Sequence, residues 1–393
     1  MMKFPLAVSA LLLCSAPLVA QQAGARNDAM GGTGVASSDY LNAAFVNPAL
    51  VTRFSDLDDD DWGLMLPTFG IFATDPDDVL DDLETLEDSF DAIEAAWAGG
   101  TAPTQGQLDT LAANLNALSG SALQLQAFGG AVLAIPSEDL GMAIVIRGNI
   151  DAAGMMLVNP ADVTDIEDAL TGTTLPTLTS EAVMLAAGVS EVGLAIGTTF
   201  DIDGNSLAVG ITPKMQRVEV YNYAISIENA GDLEDDYDDD VYSNDDTALN
   251  FDIGAHMQFG ENFSAGLAVR DLLEQDIITP SIGGRSYTYT LSPVATAGFA
   301  YQEGFLTLAT DIDLTKRDGF SNTDGMQFVR LGAEAGWTWG QLRAGYRTDL
   351  EDTVDDMFTA GIGLSPFGVF HLDLAGAMGA DSYGALLALS FTF

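Results

Sequence analysis

The sequence predicts an all-β protein: a transmembrane antiparallel up-and-down β-barrel of about 14 strands, with an N-terminal lumen plug and helical extracellular loops. Three observations point to it. Segments of alternating hydrophobicity recur from about residue 62 to the C-terminus. The spacers between them switch between long and short. The mean hydropathy is +0.19, yet no segment beyond the N-terminal leader has the roughly 18 successive apolar residues of a membrane helix. The best candidates are interrupted by Arg147 and Asp151 in one case and by Glu191 in another. A closed barrel is the other structure that satisfies its backbone within lipid. A large soluble β-sandwich also gives many short strands, but it does not account for the loop alternation or for the apolar strand faces.

The C-terminal segment SYGALLALSFTF, Ser382 to Phe393, shows those faces. Side chains alternate across a strand. Tyr383, Ala385, Leu387, Leu389, Phe391 and Phe393 therefore share one face. Ser382, Gly384, Ala388, Ser390 and Thr392 share the other, with Leu386 as its large exception. A greasy outer face opposite a small, polar inner one suits a strand between lipid and lumen.

From the N-terminus, residues 1–20 read as a cleaved signal peptide, with Lys3, an apolar run and a cut after Ala20. Cys14, the one cysteine, lies inside it behind Leu13, which is not the small residue a lipoprotein site needs. The exported chain then has no disulfide, cysteine metal site or thiol chemistry. Residues 21–61 precede the first strand and are long enough to form a plug (hatch). Residues 62–393 form the outer-membrane barrel, with helical extracellular insertions at about 73–121 and 151–180. In the first insertion Asp75 reads as N-cap and Pro76 as first helical residue. Leu80, Leu83, Leu86, Phe90, Ile93 and Trp97 follow at helical spacing, and Gly99-Gly100 stop the helix. Thr104 and Gln107 make a capping box for a second helix, with Leu108, Leu111, Leu115 and Leu118 in one stripe. NPADVTDIEDALTG gives a shorter one. The stripes pack on each other and the rim, form an apolar gate for a greasy ligand, or do both.

The wall segments continue in order through LQLQAFGGAVLAI, LGMAIVIRGNI, EAVMLAAGVSEVGLAIGTTF and SLAVGITPKMQRVEVYNYAISI to SYTYTLSPVATAGFAY, read as one strand, and on to the terminal segment. An even count puts both chain ends in the periplasm and the long loops outside.

Acidic residues number 58 against 13 basic ones, a net charge of -45, which excludes nucleic acid as a partner. The acids concentrate in the outer loops, where divalent cations would bridge them to lipid and lipopolysaccharide headgroups. Neither the run from Asp232 to Asp246 nor DIDGN has the ordered spacing of an EF-hand, so no metal site is assigned. The bases behave differently. Strand parity sends Arg147, Asp252, His256, Arg270, Asp311, Asp313, Arg330, Glu334, Arg343, Arg347, His371 and Asp373 into the lumen. From these the lumen charge network is drawn as Arg147, Arg270, Asp311, Arg330, Glu334, Arg343, Arg347, His371 and Asp373. It either pairs internally and with the plug or offers arginines to a ligand's anionic head. His256, His371 and Asp373 lack a nucleophile motif, so no enzyme is expected. MGGTGVASS precedes every strand and lacks the Rossmann context. No cofactor is implied.

ARNDAMGGTGVASSDYLNAAFVNPALV, Ala25 to Val51, resembles the hatch of the FadL-type hydrophobic-compound transporters, and within that superfamily the chain looks most like the conjugal-transfer TraF-like exported barrels. The resemblance implies a fourteen-stranded Gram-negative outer-membrane barrel whose plug carries an Asn-Pro-Ala motif, here Asn47, Pro48 and Ala49. Pro48 restricts Asn47 to extended conformations, and the Asn side chain can bond local backbone. Passive uptake of a small hydrophobic compound is the function expected from it. The acidic outer loops repel carboxylates and so point away from fatty acids. The alternative is a non-transporting barrel that anchors or assembles a surface or conjugation machine.

Overall fold

Strand alternation builds one wall. In the computed structural model, which describes residues 24–53 and 61–393 apart from 77, 138, 170–175, 203, 228–240 and 323–324, β1 (Gly63–Thr74) pairs with β2 (Ala122–Ile135). The wall proceeds through β3 (Gly141–Leu157), β4 (Glu181–Ile202), β5 (Asn205–Ser226), β6 (Ser243–Phe259) and β7 (Phe263–Arg270). There it is interrupted by β8 (Gln275–Ile278) and β9 (Thr288–Leu291), which pair only with each other. It resumes with β10 (Val294–Glu303), β11 (Leu306–Asp313), β12 (Phe328–Trp337), β13 (Gly340–Asp349), β14 (Met357–Leu364), β15 (Phe370–Met378) and β16 (Ser382–Thr392). β16 returns to β1, closing an antiparallel barrel of fourteen strands among the described residues. The expected leader, residues 1–20, and most of the acidic run from Asp232 lie outside the described residues.

Two features correct the sequence reading. SYTYTLSPVATAGFAY is not one strand. It breaks at Ser292-Pro293, since proline has no N–H to donate and constrains the residue before it. Its first part becomes β9, and the β8–β9 hairpin folds into the lumen. There Ile277 and Tyr289, with Phe320, pack on Leu185, Val189, Val218 and Val220 of the inner wall. The loop alternation also ends early: β15 and β16 are joined at the long-loop end by Gly379–Asp381 alone.

The outer face carries Phe69, Ile144, Ile146, Leu331, Leu342 and Phe358, all exposed, as a strand against lipid requires. Leu386, the exception in the terminal strand, is buried on the inner face. At the short-turn end, aromatic side chains form a girdle. Trp62 stacks on Phe393 at 4.5 Å and Phe305 on Trp337 at 6.2 Å, and Phe263 meets Tyr301 at 4.9 Å. Among the described residues no helix is long and apolar enough to cross a membrane. β4 and β5, at 22 residues each, rise well beyond the 9–11 residues that cross a bilayer.

The tall side supports the helices. α3 (Val79–Ala98) and α4 (Gln105–Ala117) lie in the β1–β2 loop, and α5 (Pro160–Glu167) in the β3–β4 loop. α3 starts later than expected: its first turn begins at Val79, and Asp75 contributes by accepting the Val79 N–H at 2.8 Å. The Gln107 side chain accepts from the Thr104 N–H at 3.0 Å and from the Thr104 hydroxyl at 2.9 Å. The apolar stripes are used up by packing. Leu86, Ile93, Leu108, Leu111, Leu115 and Leu118 are buried against Leu123, Met156 and Ile166, with Leu83, Phe90 and Trp97 partly buried beside them.

Candidate functional site

Residues 24–53 fill the short-turn half of the lumen as α1 (Ala25–Ala29), α2 (Tyr40–Val46) and a 3₁₀ turn (Pro48–Thr52). Small residues allow the approach. A Cβ at Gly345 would sit 2.0 Å from the Gly31 nitrogen, and one at Gly210 would sit 2.3 Å from the Pro48 carbonyl carbon. Gly31 and Gly32 adopt φ of 73° and 86°, a conformation glycine reaches without strain, which lets the chain turn back after α1.

Asn47 links three pieces of backbone. Its Nδ2 donates to the Val35 carbonyl at 2.8 Å and to the Ala255 carbonyl of β6 at 3.1 Å, while its Oδ1 accepts from the Ala49 N–H at 3.1 Å. Pro48 opens the 3₁₀ turn and Ala49 is fully buried within it. Other wall residues hold the same segment. Asp311 Oδ2 accepts from the Gly34 and Val35 N–H groups at 2.8 and 3.0 Å, Arg147 donates to the Phe45 carbonyl at 3.2 Å, and Thr359 bonds both Gly31 and Ala29.

The ionisable side chains fall into three clusters. In the first, Arg26 forks onto both oxygens of Glu334 at 3.0 and 2.9 Å; Arg343 bonds Glu334 at 2.6 Å and also pairs with Asp373. In the second, Arg330 is bidentate on Asp313 at 2.7 and 2.9 Å, and Arg347 lies 5.4 Å from the Phe72 ring centre. Arg347 lines a cavity of about 20 Å3 with Phe72, Gln124, Met357 and Ser382. In the third, Lys214 Nζ sits among Asp271 at 2.7 Å, Asp252 at 2.8 Å and Glu191 at 3.0 Å, with Arg147 2.5 Å from Glu191. Asp271 has φ of 53°, a left-handed conformation that Asp tolerates. It turns the chain away from β7, returns its carboxylate to Lys214, and donates its N–H to Asp252 at 2.8 Å.

His371 stands apart at the short-turn rim, bonded to Ser365 at 2.8 Å and Thr392 at 3.1 Å. Among the described residues no carboxylate bonds either histidine, and none of the His, Asp and Glu side chains group as a metal site. Sequence reasoning missed Lys214, Glu191 and Asp271, and also Arg26 and Arg53 of the N-terminal segment. Parity along Thr212, Lys214 and Gln216 against Ile211 and Met215 carried the signal for Lys214; the former are buried and the latter exposed.

In solved structures, the chain is similar to the P. putida toluene transporter TodX, with a TM-score of 0.52 at 13% identity over 94% of this chain and 98% of that one. It is similar to a TodX deltaS2S3 mutant described as a monoaromatic hydrocarbon channel, at 0.54 and 12% over 94% and 99%. It is also similar to the CymD monoaromatic hydrocarbon channel, at 0.52 and 11% over 96% and 98%. At such identities the likeness is one of fold alone. No curated protein sequence matches significantly. Residues 44–313 match the family described as F plasmid transfer operon, TraF, protein, which is more than half of the chain, and the protein belongs to that TraF family.

Proposed function

We propose that this protein is an outer-membrane barrel of a Gram-negative bacterium through which a small, neutral hydrophobic compound passes without energy input, gated by residues 21–61 acting as a plug. One observation carries the reading: the described part of that segment sits in the lumen on noncovalent contacts, hydrogen bonds and ion pairs together with apolar packing of Phe45, Leu50 and Val51, in a barrel of the TodX fold. Such contacts are reversible, and a cavity lies beside Phe72, Met357 and Arg347 on the inner wall. Toluene and monoaromatic hydrocarbons are named for the similar barrels, and the net charge of -45 disfavours an anionic cargo. In this reading Asn47, Pro48 and Ala49 are the plug's anchor, and Arg147, Asp311 and Glu334 of the wall are its seat, with Arg26 of the plug gripping Glu334. The outer loops face lipopolysaccharide, with divalent cations between like charges.

The filled lumen favours a second reading. Two cavities of about 20 Å3 each lie on the inner wall, and paired charges such as Arg330–Asp313 and Arg343–Glu334 project into the lumen. A barrel that anchors or assembles a surface or conjugation machine needs no path. Native mass spectrometry on protein taken from outer membranes in mild detergent separates the two. A small apolar molecule bound stoichiometrically to wild type and lost from Asn47→Ala/Pro48→Ala supports transport. An empty barrel that co-purifies with other envelope proteins supports assembly.

A further inference from the structure

Between the Lys214 cluster and the β8–β9 hairpin lies a second cavity of about 20 Å3, walled on one side by Val189 and Tyr289. Two arginines reach it from different elements. Arg270 is the last residue of β7. Arg317 lies in the β11–β12 loop, whose backbone is closed by paired bonds between Arg317 and Met326 at 2.8 and 2.9 Å. Neither guanidinium makes an ion pair or hydrogen bond among the described residues, and both Nε atoms are buried without a partner. A guanidinium carries five donors, and a buried donor left unmade is costly.

The carboxylates around the cavity are taken or turned away. Glu191 is shared by Arg147 and Lys214, and Asp271 is held by Lys214 at 2.7 Å and Gln216 at 2.8 Å. Asp318 also lines the cavity but is exposed to solvent, which screens it. Asp151 accepts from Asn149 at 2.9 Å and forms no ion pair with either arginine. Among the described residues neither arginine thus has a counter-charge in direct contact.

We propose that Arg270 and Arg317 form a small-anion site that takes chloride. A cavity of about 20 Å3 has room for a body the size of a water, which suits a halide and is too small for sulfate or gluconate. The ion accepts from both guanidiniums. In doing so it ties the end of β7 to the β11–β12 loop beneath Tyr289 of the hairpin, and so pins the long-loop end of the lumen. The site stands whether the barrel transports or assembles.

The test uses the full exported chain in mild detergent. Thermal unfolding is followed as chloride replaces gluconate at constant ionic strength, so that screening stays fixed. The expected result is a midpoint that rises saturably with chloride and equally with bromide. In Arg317→Gln the rise should vanish or need roughly tenfold more salt, about 1.4 kcal/mol of binding. Asp151→Asn, which removes a buried carboxylate lining the cavity, should saturate at lower chloride. A crystal soaked in bromide gives an independent readout: an anomalous peak between Arg270 and Arg317. A wild type indifferent to the choice of anion, a chloride effect unchanged in Arg317→Gln, or a cavity holding only water in bromide-soaked crystals would each overturn the proposal.

Discussion

Arg26 in the N-terminal segment grips Glu334 in the barrel wall through two hydrogen bonds, at 3.0 and 2.9 Å, across 308 positions of sequence. Glu334 is bonded at the same time by Arg343 of the neighbouring strand. The two arginines therefore differ in what they join: Arg343 ties strand to strand, and Arg26 ties segment to wall.

Replacing Arg26 with Ala should loosen the segment by about 1.5–3 kcal/mol, the range for hydrogen bonds to a charged group, because Glu334 keeps Arg343. Glu334→Ala takes the bidentate partner from Arg26 and one of two carboxylates from Arg343, which keeps Asp373, and should cost more, about 3–5 kcal/mol. Limited proteolysis reads this out through cleavage within residues 24–53, which should accelerate in Arg26→Ala while the strands stay protected. Equal protection of both regions in that variant would deny the grip any role.

Asn47→Ala removes three hydrogen bonds and leaves the Val35 and Ala255 carbonyls without this donor. A loss of about 2–4 kcal/mol in segment docking is expected from the buried groups left behind. Pro48→Ala should cost less than about 1 kcal/mol, acting mainly through chain entropy. Hydrogen exchange over residues 33–52 orders the two variants, and the account fails if Pro48→Ala proves the more damaging.

Backbone proximity gives a contrast between glycines. An alanine at Gly345 would meet the Gly31 nitrogen at 2.0 Å, whereas one at Gly188 meets nothing within 4 Å. Gly345→Ala should unseat the segment, and Gly188→Ala should behave as wild type in the same exchange measurement.

Asp162, at the start of α5, binds the chain before β4 by accepting from the Thr179 and Ser180 N–H groups at 2.8 and 2.6 Å and from both hydroxyls. Burial alone would raise its carboxyl, but these bonds from Ser180 and Thr179 outweigh it and hold the group below its ordinary value. A depressed carboxyl stabilises the fold fully above the unfolded value, about pH 4, and loses that contribution as pH falls through the folded one. Acid should therefore release the α5 loop in wild type. Asp162→Asn should already be loosened at neutral pH and show little further change on acidification, measured by exchange at Thr179 and Ser180.

The architecture was legible because lipid imposes strict parity: Leu331, Leu342 and Tyr383 had to face out, and Arg330 and Arg343 in. What parity does not encode is partner choice. Whether Arg147 meets Glu191, or Arg26 meets Glu334, depends on strand stagger and on how the N-terminal segment winds, and neither leaves a local pattern. The β8–β9 hairpin was invisible for a related reason. Its strands are 4 residues each, too short for alternation to register, and their direction into the lumen is set by packing of Ile277 and Tyr289 rather than by sequence period. The acidic loops drew the eye to the surface, while the ions that organise the interior are a few isolated residues such as Lys214.

The most direct measurement is the rate at which a labelled neutral monoaromatic compound enters cells that carry this barrel in their outer membrane, compared with cells lacking it and with cells carrying Asn47→Ala. The account predicts entry that is faster with the barrel, saturable, insensitive to uncouplers, and altered by Asn47→Ala. Identical entry with and without the barrel would contradict a plugged hydrophobic-compound channel and leave the assembly reading in its place.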